Sequence, residues 1–209
     1  MRESLEAEIR ACCDERDWTR AVTVAIRGYG PEILGYLAAV TDREADATEA
    51  FSLFCERAWR GIQQFRWDSS FRTWAYVIAR NELWRHLRGE RRRGRREMSL
   101  AEVPAVEEIL DRVRTETAAF LRTAVKDRFA ALRAELKPID RDILVLRVDR
   151  RLPWTDVAQI LAESRSSLES SPEVMTPASL RKRLERIKKQ LRLLAIDRGL
   201  LDQAGNVVL

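Results

Sequence analysis

The chain has 209 residues and a net charge of +5, with 38 Lys or Arg set against 33 Asp or Glu. One histidine, three cysteines without a CxxC pair and no phosphate-binding glycine motif exclude His-based triads, His/Cys metal clusters and Walker-type loops. No run approaches the roughly 18 apolar residues of a membrane span, so no membrane insertion is expected. Met1-Arg-Glu-Ser leads into mixed charge rather than an apolar signal segment. A soluble, cytoplasmic, non-enzymatic protein with reduced cysteines is expected, with no cofactor and no metal.

Helical periodicity runs through most of the chain and strand alternation is nearly absent, which predicts an all-α protein. A helix is expected from about Ala21 to Ile26, broken at Gly28-Tyr-Gly-Pro31 and resumed from Glu32 to Val40. From Asp46 to Trp59, residues Ala47, Ala50, Phe51, Phe54 and Ala58 fall on one stripe. A polar loop at 65–70 follows, in which Ser69 and Ser70 are natural N-caps for a helix starting near Phe71. Trp74, Val77, Ile78, Trp84 and Leu87 give that helix its buried side, and Trp59, Trp74 and Trp84 read as core.

Between Phe65 and Arg88 aromatic rings, hydroxyls and arginines interleave, and Arg91-Arg-Arg-Gly-Arg-Arg96 follows closely. Rings offer stacking faces to unstacked bases and arginines hold the accompanying phosphates, so this stretch suits single-stranded or melted nucleic acid. Arg85–Arg96 carries seven arginines against one acid, and Arg181–Arg192 seven Lys or Arg against one acid. Two such patches suggest two contact points on one polyanion.

Met98–Val106 has a proline and no periodicity, as suits a linker. A long helix is expected from about Glu107 to Glu135, ended by Pro138, then helices at Asp140–Val148 and Pro153–Leu161, the latter with Trp154, Val157, Ala158 and Leu161 inward. A serine-rich stretch at 162–176 precedes a last helix from Ser179, whose Leu180, Leu184, Ile187, Leu191 and Leu194 make an apolar stripe with every basic residue off it. The helices at Pro153 and Ser179 read as a helix-turn-helix, with Arg181, Lys182 and Arg183 in the first turns of the recognition helix.

Taken together, Glu49–Trp59, Phe65-Arg-Trp-Asp-Ser-Ser-Phe-Arg-Thr-Trp74, Ile78-Ala-Arg-Asn81, Leu144–Arg147, Leu152–Ala158 and Ser179–Leu184 resemble a bacterial sigma factor of the extracytoplasmic-function (ECF) group. The resemblance implies two helical domains joined by a flexible linker. Residues 1–96 would be a region 2-like domain that binds core RNA polymerase and the −10 element. Residues 97–106 would be the linker, 107–198 a region 4-like helix-turn-helix domain for the −35 element, and 199–209 an unassigned tail. It further implies polymerase contact through Glu49, Ser52, Leu53, Glu56 and Arg57. Capture of a −10 base would fall to Phe65, Ser69, Ser70 and Asn81, with Arg80, Arg85 and Arg88 on the same DNA. The −35 contacts would come from Ser179, Arg181, Lys182, Arg183 and Arg186. Core RNA polymerase, promoter DNA and an anti-sigma factor are the partners implied. The alternative is a helix-turn-helix DNA-binding regulator that is not a sigma factor; such a protein would have no need of a base pocket at 65–81.

Overall fold

The computed structural model describes residues 2–89, 131–163 and 175–202, and the chain is all-α. It divides into two compact units. Of the described residues, 2–89 and 160–163 fall in the first and 131–159 and 175–202 in the second. The arginine run at 91–96, the linker at 97–106, most of the 107–135 helix, most of the 162–176 stretch and the tail from 203 lie outside the described residues.

The first unit is built from α1 (Arg2–Asp14), α2 (Trp18–Val40), α3 (Glu44–Gly61), a 3-10 turn (Ile62–Gln64) and α4 (Phe71–Leu87). Helix α1 has no counterpart among the expected elements. Its mixed charge hides a short apolar face of Leu5, Ile9 and Cys12, at a spacing of four and three, with Ile9 and Cys12 buried. Gly28 lets α1 approach α2 closely, because a Cβ there would overlap the Leu5 side chain.

Helix α2 also departs from expectation: it passes straight through Gly28–Pro31. Pro31 cannot supply an amide to the carbonyl four residues back, which ordinarily breaks a helix. Here Ala25, Ile26 and Tyr29 before it and Ile33, Leu34 and Leu37 after it are all buried on one continuous face, and this packing holds the element together. The ends are capped by side chains, Asp17 accepting from the Arg20 amide at 3.0 Å and Thr41 Oγ1 donating to the Leu37 carbonyl at 2.8 Å.

The predicted α3 stripe is buried in full, as Ala47, Ala50, Phe51, Phe54 and Ala58. Helix α4 starts at Phe71, capped by Ser70, whose hydroxyl accepts from the Thr73 amide at 3.0 Å. A second, long-range cap comes from α1. Glu6 accepts from the Phe71 amide at 2.8 Å, from the Arg72 amide at 3.0 Å and from the Tyr29 hydroxyl at 2.7 Å. A carboxylate at the first turn satisfies orphan amides and complements the helix dipole. Deeper in the core, Glu32 accepts from Arg72 through both Nε and Nη2 and from the Tyr76 hydroxyl at 2.7 Å. Asp46 and His86, 3.0 Å apart, tie α3 to α4.

The second unit holds helical residues 131–134, α5 (Pro138–Leu144), a π-turn (Val145–Asp149), α6 (Trp154–Glu163) and α7 (Pro177–Asp197), with the unit boundary inside α6. Pro138 opens α5 at its first turn, where a missing amide costs nothing, and the element expected to reach Val148 instead widens into the π-turn, closed by the Arg150 amide on the Val145 carbonyl at 2.9 Å. Arg141, buried, donates to the carbonyls of Arg133 and Ala134 at 3.1 and 2.8 Å and so caps the helical turn before it. Helix α7 begins two residues earlier than expected. Thr176 and Ser179 form a capping box, each hydroxyl accepting from the other residue's amide at 3.1 Å.

Candidate nucleic-acid interface

The loop between α3 and α4 is an aromatic nest. The Phe65 ring lies 4.8 Å from Trp67, 4.9 Å from Trp74 and 5.8 Å edge-on from Phe71. Trp67 holds a left-handed backbone with φ of 61°, uncommon for a bulky residue, and its ring is held by Phe65 and by the Arg10 guanidinium 5.3 Å away. The loop is therefore held in one shape rather than left as a floppy connector.

Beside this nest the last turns of α3 and the middle of α4 enclose a cleft of about 480 Å³. Arg57, Arg60, Gly61 and Gln64 line it from one side, at helical spacings of three, one and three. Trp74, Ile78, Asn81, Glu82 and Arg85 line it from the other, a single face of α4. Gly61 leaves room for the indole, since a Cβ there would sit 3.1 Å from Trp74 Cζ2. A half-buried ring, an amide and three arginines in one concave site supply what a nucleotide needs: a stacking face, an edge reader and donors for phosphate.

Against the expectations, Asn81 lies in this cleft with Arg57 and Arg85, while Phe65 stands in the adjoining nest. Ser69 and Ser70 do not line it. Ser70 is spent on the α4 cap, and Ser69 donates weakly to the Ser70 carbonyl at 3.3 Å. Trp74, expected in the core, is only partly buried and forms part of the cleft wall. Arg80, expected on DNA, is 2 % exposed with its guanidinium 5.8 Å from the Trp84 ring, so it braces α4 from within. Arg85 is exposed and donates to Glu82 at 2.8 Å, and Arg88 is the half-buried C-cap of α4. Arg60, Gly61, Gln64, Ile78 and Glu82 were not foreseen as cleft residues: the first three run from the end of α3 into the 3-10 turn, the other two share the α4 face of Asn81, and only the packing of α3 on α4 brings the two sets together.

Burial pushes the Glu82 carboxyl above the usual carboxylate range, opposed by Arg85 and Arg57 and reinforced by Glu56. A carboxyl raised in this way contributes stability that is present below its unfolded pKa and lost as pH rises through the folded one. Glu82→Gln should therefore raise the melting temperature at neutral pH, and the difference should shrink as pH falls toward the ordinary carboxylate range. A lower melting temperature at neutral pH would contradict this.

Glu49, Ser52, Leu53 and Glu56 share one partly exposed face of α3, opposite its buried stripe, with Arg57 exposed beside them. Glu56 pairs with Arg60 at 2.7 Å, and the Ser52 hydroxyl donates to the Thr48 carbonyl at 3.1 Å. In the second unit Arg181, Lys182 and Arg186 are exposed on α7, with the Arg181 guanidinium 5.9 Å from the Trp154 ring and Arg147 at 5.0 Å from the same ring. Arg183 departs from expectation: its Nε donates to Asp140 at 2.5 Å, which turns it toward α5. Ser179 likewise is engaged in the α7 capping box. Among the described residues no group of His, Cys, Asp and Glu forms a metal site, and no helix is long and apolar enough to cross a membrane.

No curated protein matches the chain. Residues 25–93, a third of its length, match the family described as Sigma-70 region 2, and they span α2 from its middle, all of α3, the aromatic loop and α4. The cleft and the loop beside it thus lie wholly inside the Sigma-70 region 2 match.

Proposed function

We propose that the protein is a sigma factor of the extracytoplasmic-function group that binds core RNA polymerase, recognises promoters and opens them at the −10 element. The observation that carries this reading is the cleft between α3 and α4, which sets Asn81 and Trp74 together within the region 2 match. Extracting a base costs a few kcal/mol, and stacking returns about 1–3 kcal/mol per base, so a built pocket helps keep the strand open. The partly exposed face of α3 carrying Glu49, Ser52, Leu53, Glu56 and Arg57 is the proposed polymerase contact. Phe65 shapes the nest next to the cleft, and Arg85 with Arg88 follows the backbone of the same DNA.

In this reading residues 1–96 are the polymerase- and −10-binding domain, 97–106 a linker, and 107–198 a helix-turn-helix domain for the −35 element. Arg181, Lys182 and Arg186, exposed on α7, are its DNA contacts. The Trp154 ring beneath Arg181 presets that guanidinium. Resemblance to the group adds an anti-sigma factor as a proposed partner.

Run-off transcription with core RNA polymerase of the same organism tests the proposal. Added protein should co-purify with core and give specific starts at native promoters. DNA binding without core association and without specific starts would instead indicate a helix-turn-helix regulator.

A further inference from the structure

Glu82 is the one carboxylate lining the cleft, 9 % exposed, adjacent in sequence to Asn81 and on the same face of α4 as Ile78 and Arg85. Its neighbours do not offer the same chemistry. An asparagine amide presents both a donor and an acceptor and can turn either toward a base, so Asn81 alone does not distinguish an amino group from a carbonyl. The cleft's arginines are donors only. Two of them are already engaged within the domain, Arg85 with Glu82 Oε1 at 2.8 Å and Arg60 with Glu56 at 2.7 Å. An ionised carboxylate accepts only, at about four lone-pair positions, and one ion pair leaves acceptor capacity over.

We propose that Glu82 is a specificity-determining residue of this cleft, accepting from the exocyclic amino group of an extruded base and so favouring cytosine, adenine or guanine over thymine. The inference rests on the reading that the cleft receives such a base. Discrimination arises mainly by rejection. Where the other bases present an exocyclic amino group, thymine presents a carbonyl oxygen, so its acceptor would face the carboxylate's remaining lone pairs, which Arg85 does not occupy, in a site poor in water. An amino-bearing base donates to those lone pairs, just as cytosine N4 donates to carboxylates in groove readout. At about 480 Å³ the cleft is roomy, so size does not make the choice.

The test uses holoenzyme reconstituted with core RNA polymerase and fork-junction DNA of a native promoter. An abasic scan of the non-template −10 strand first locates the position whose base matters, and each of the four bases is then placed there. Wild-type holoenzyme should bind the three amino-bearing forms about tenfold more tightly than thymine. Glu82→Gln, whose amide can turn either way, should bring all four within about twofold of one another. Thymine bound as tightly as the others by wild type, or an unchanged preference in Glu82→Gln, overturns the role of Glu82 while the cleft reading stands. If no abasic substitution changes affinity, the cleft reading itself fails and this inference with it. Equal binding of all four bases by wild type overturns the proposal whether or not the variant folds.

Discussion

Glu32→Ala is expected to destabilise the first unit by about 3–5 kcal/mol, the usual cost of removing one partner from a buried ion pair. Arg72 is 7 % exposed and its guanidinium reaches Glu32 through two nitrogens, while the Tyr76 hydroxyl donates to the same oxygen at 2.7 Å. Without the carboxylate a buried cation and a buried hydroxyl both lose the acceptor they share. Arg72 stays trapped by its own backbone position at the start of α4 and by the Tyr76 ring 5.7 Å away. Glu32→Gln keeps an acceptor of similar shape and should cost clearly less. Urea unfolding of the two variants measures this, and a loss below about 1 kcal/mol in Glu32→Ala would refute the account. Removing the whole pair for apolar residues of similar volume should be far milder than removing the acid alone, since no charge is then left behind.

Glu6→Ala is the second large effect, expected at about 1–3 kcal/mol for stranding partly buried donors. One side chain holds the Phe71 and Arg72 amides and the Tyr29 hydroxyl. Its loss frees α1 from α4 and leaves only Ser70 to cap the helix that carries Asn81. Chemical denaturation should show the drop, with Glu6→Gln falling between wild type and alanine. A distinct signature accompanies it. Burial, together with the hydrogen bond to Glu6 and the nearby Glu6 charge, pushes the Tyr29 phenol well above its ordinary value. In Glu6→Ala the phenol should titrate at lower pH by ultraviolet absorbance. An unchanged Tyr29 titration would mean that the carboxylate does not govern it.

Local signals carried much of this architecture. The α3 stripe and the Ser70 cap were visible because each depends on residues within a few positions of one another. Glu6 was not, since it caps a helix whose first residue stands 65 positions away and nothing local marks it. Pro31 misled for the opposite reason: its local signal is strong, but the buried face on either side of it outweighs the missing hydrogen bond. Arg80 and Arg183 show the limit of reading charge as surface. Both belong to arginine-bearing helices, yet a ring in one case and a carboxylate in the other turn them inward. The cleft itself was half legible. Asn81 stood out by motif, whereas Arg60, Gly61 and Gln64 take their place only once the end of α3 is laid against α4.

A cleft that holds an extruded base, as proposed for the one between α3 and α4, would keep the promoter open only while Asn81 can engage that base. Permanganate reactivity of melted thymines at a native promoter, with holoenzyme carrying wild-type protein or Asn81→Ala, tests it most directly. Reactivity should fall by about tenfold in Asn81→Ala while binding of the closed duplex changes little, as suits the loss of an interaction made only with the opened strand. Undiminished permanganate reactivity in Asn81→Ala, at equal occupancy of the promoter, would contradict it.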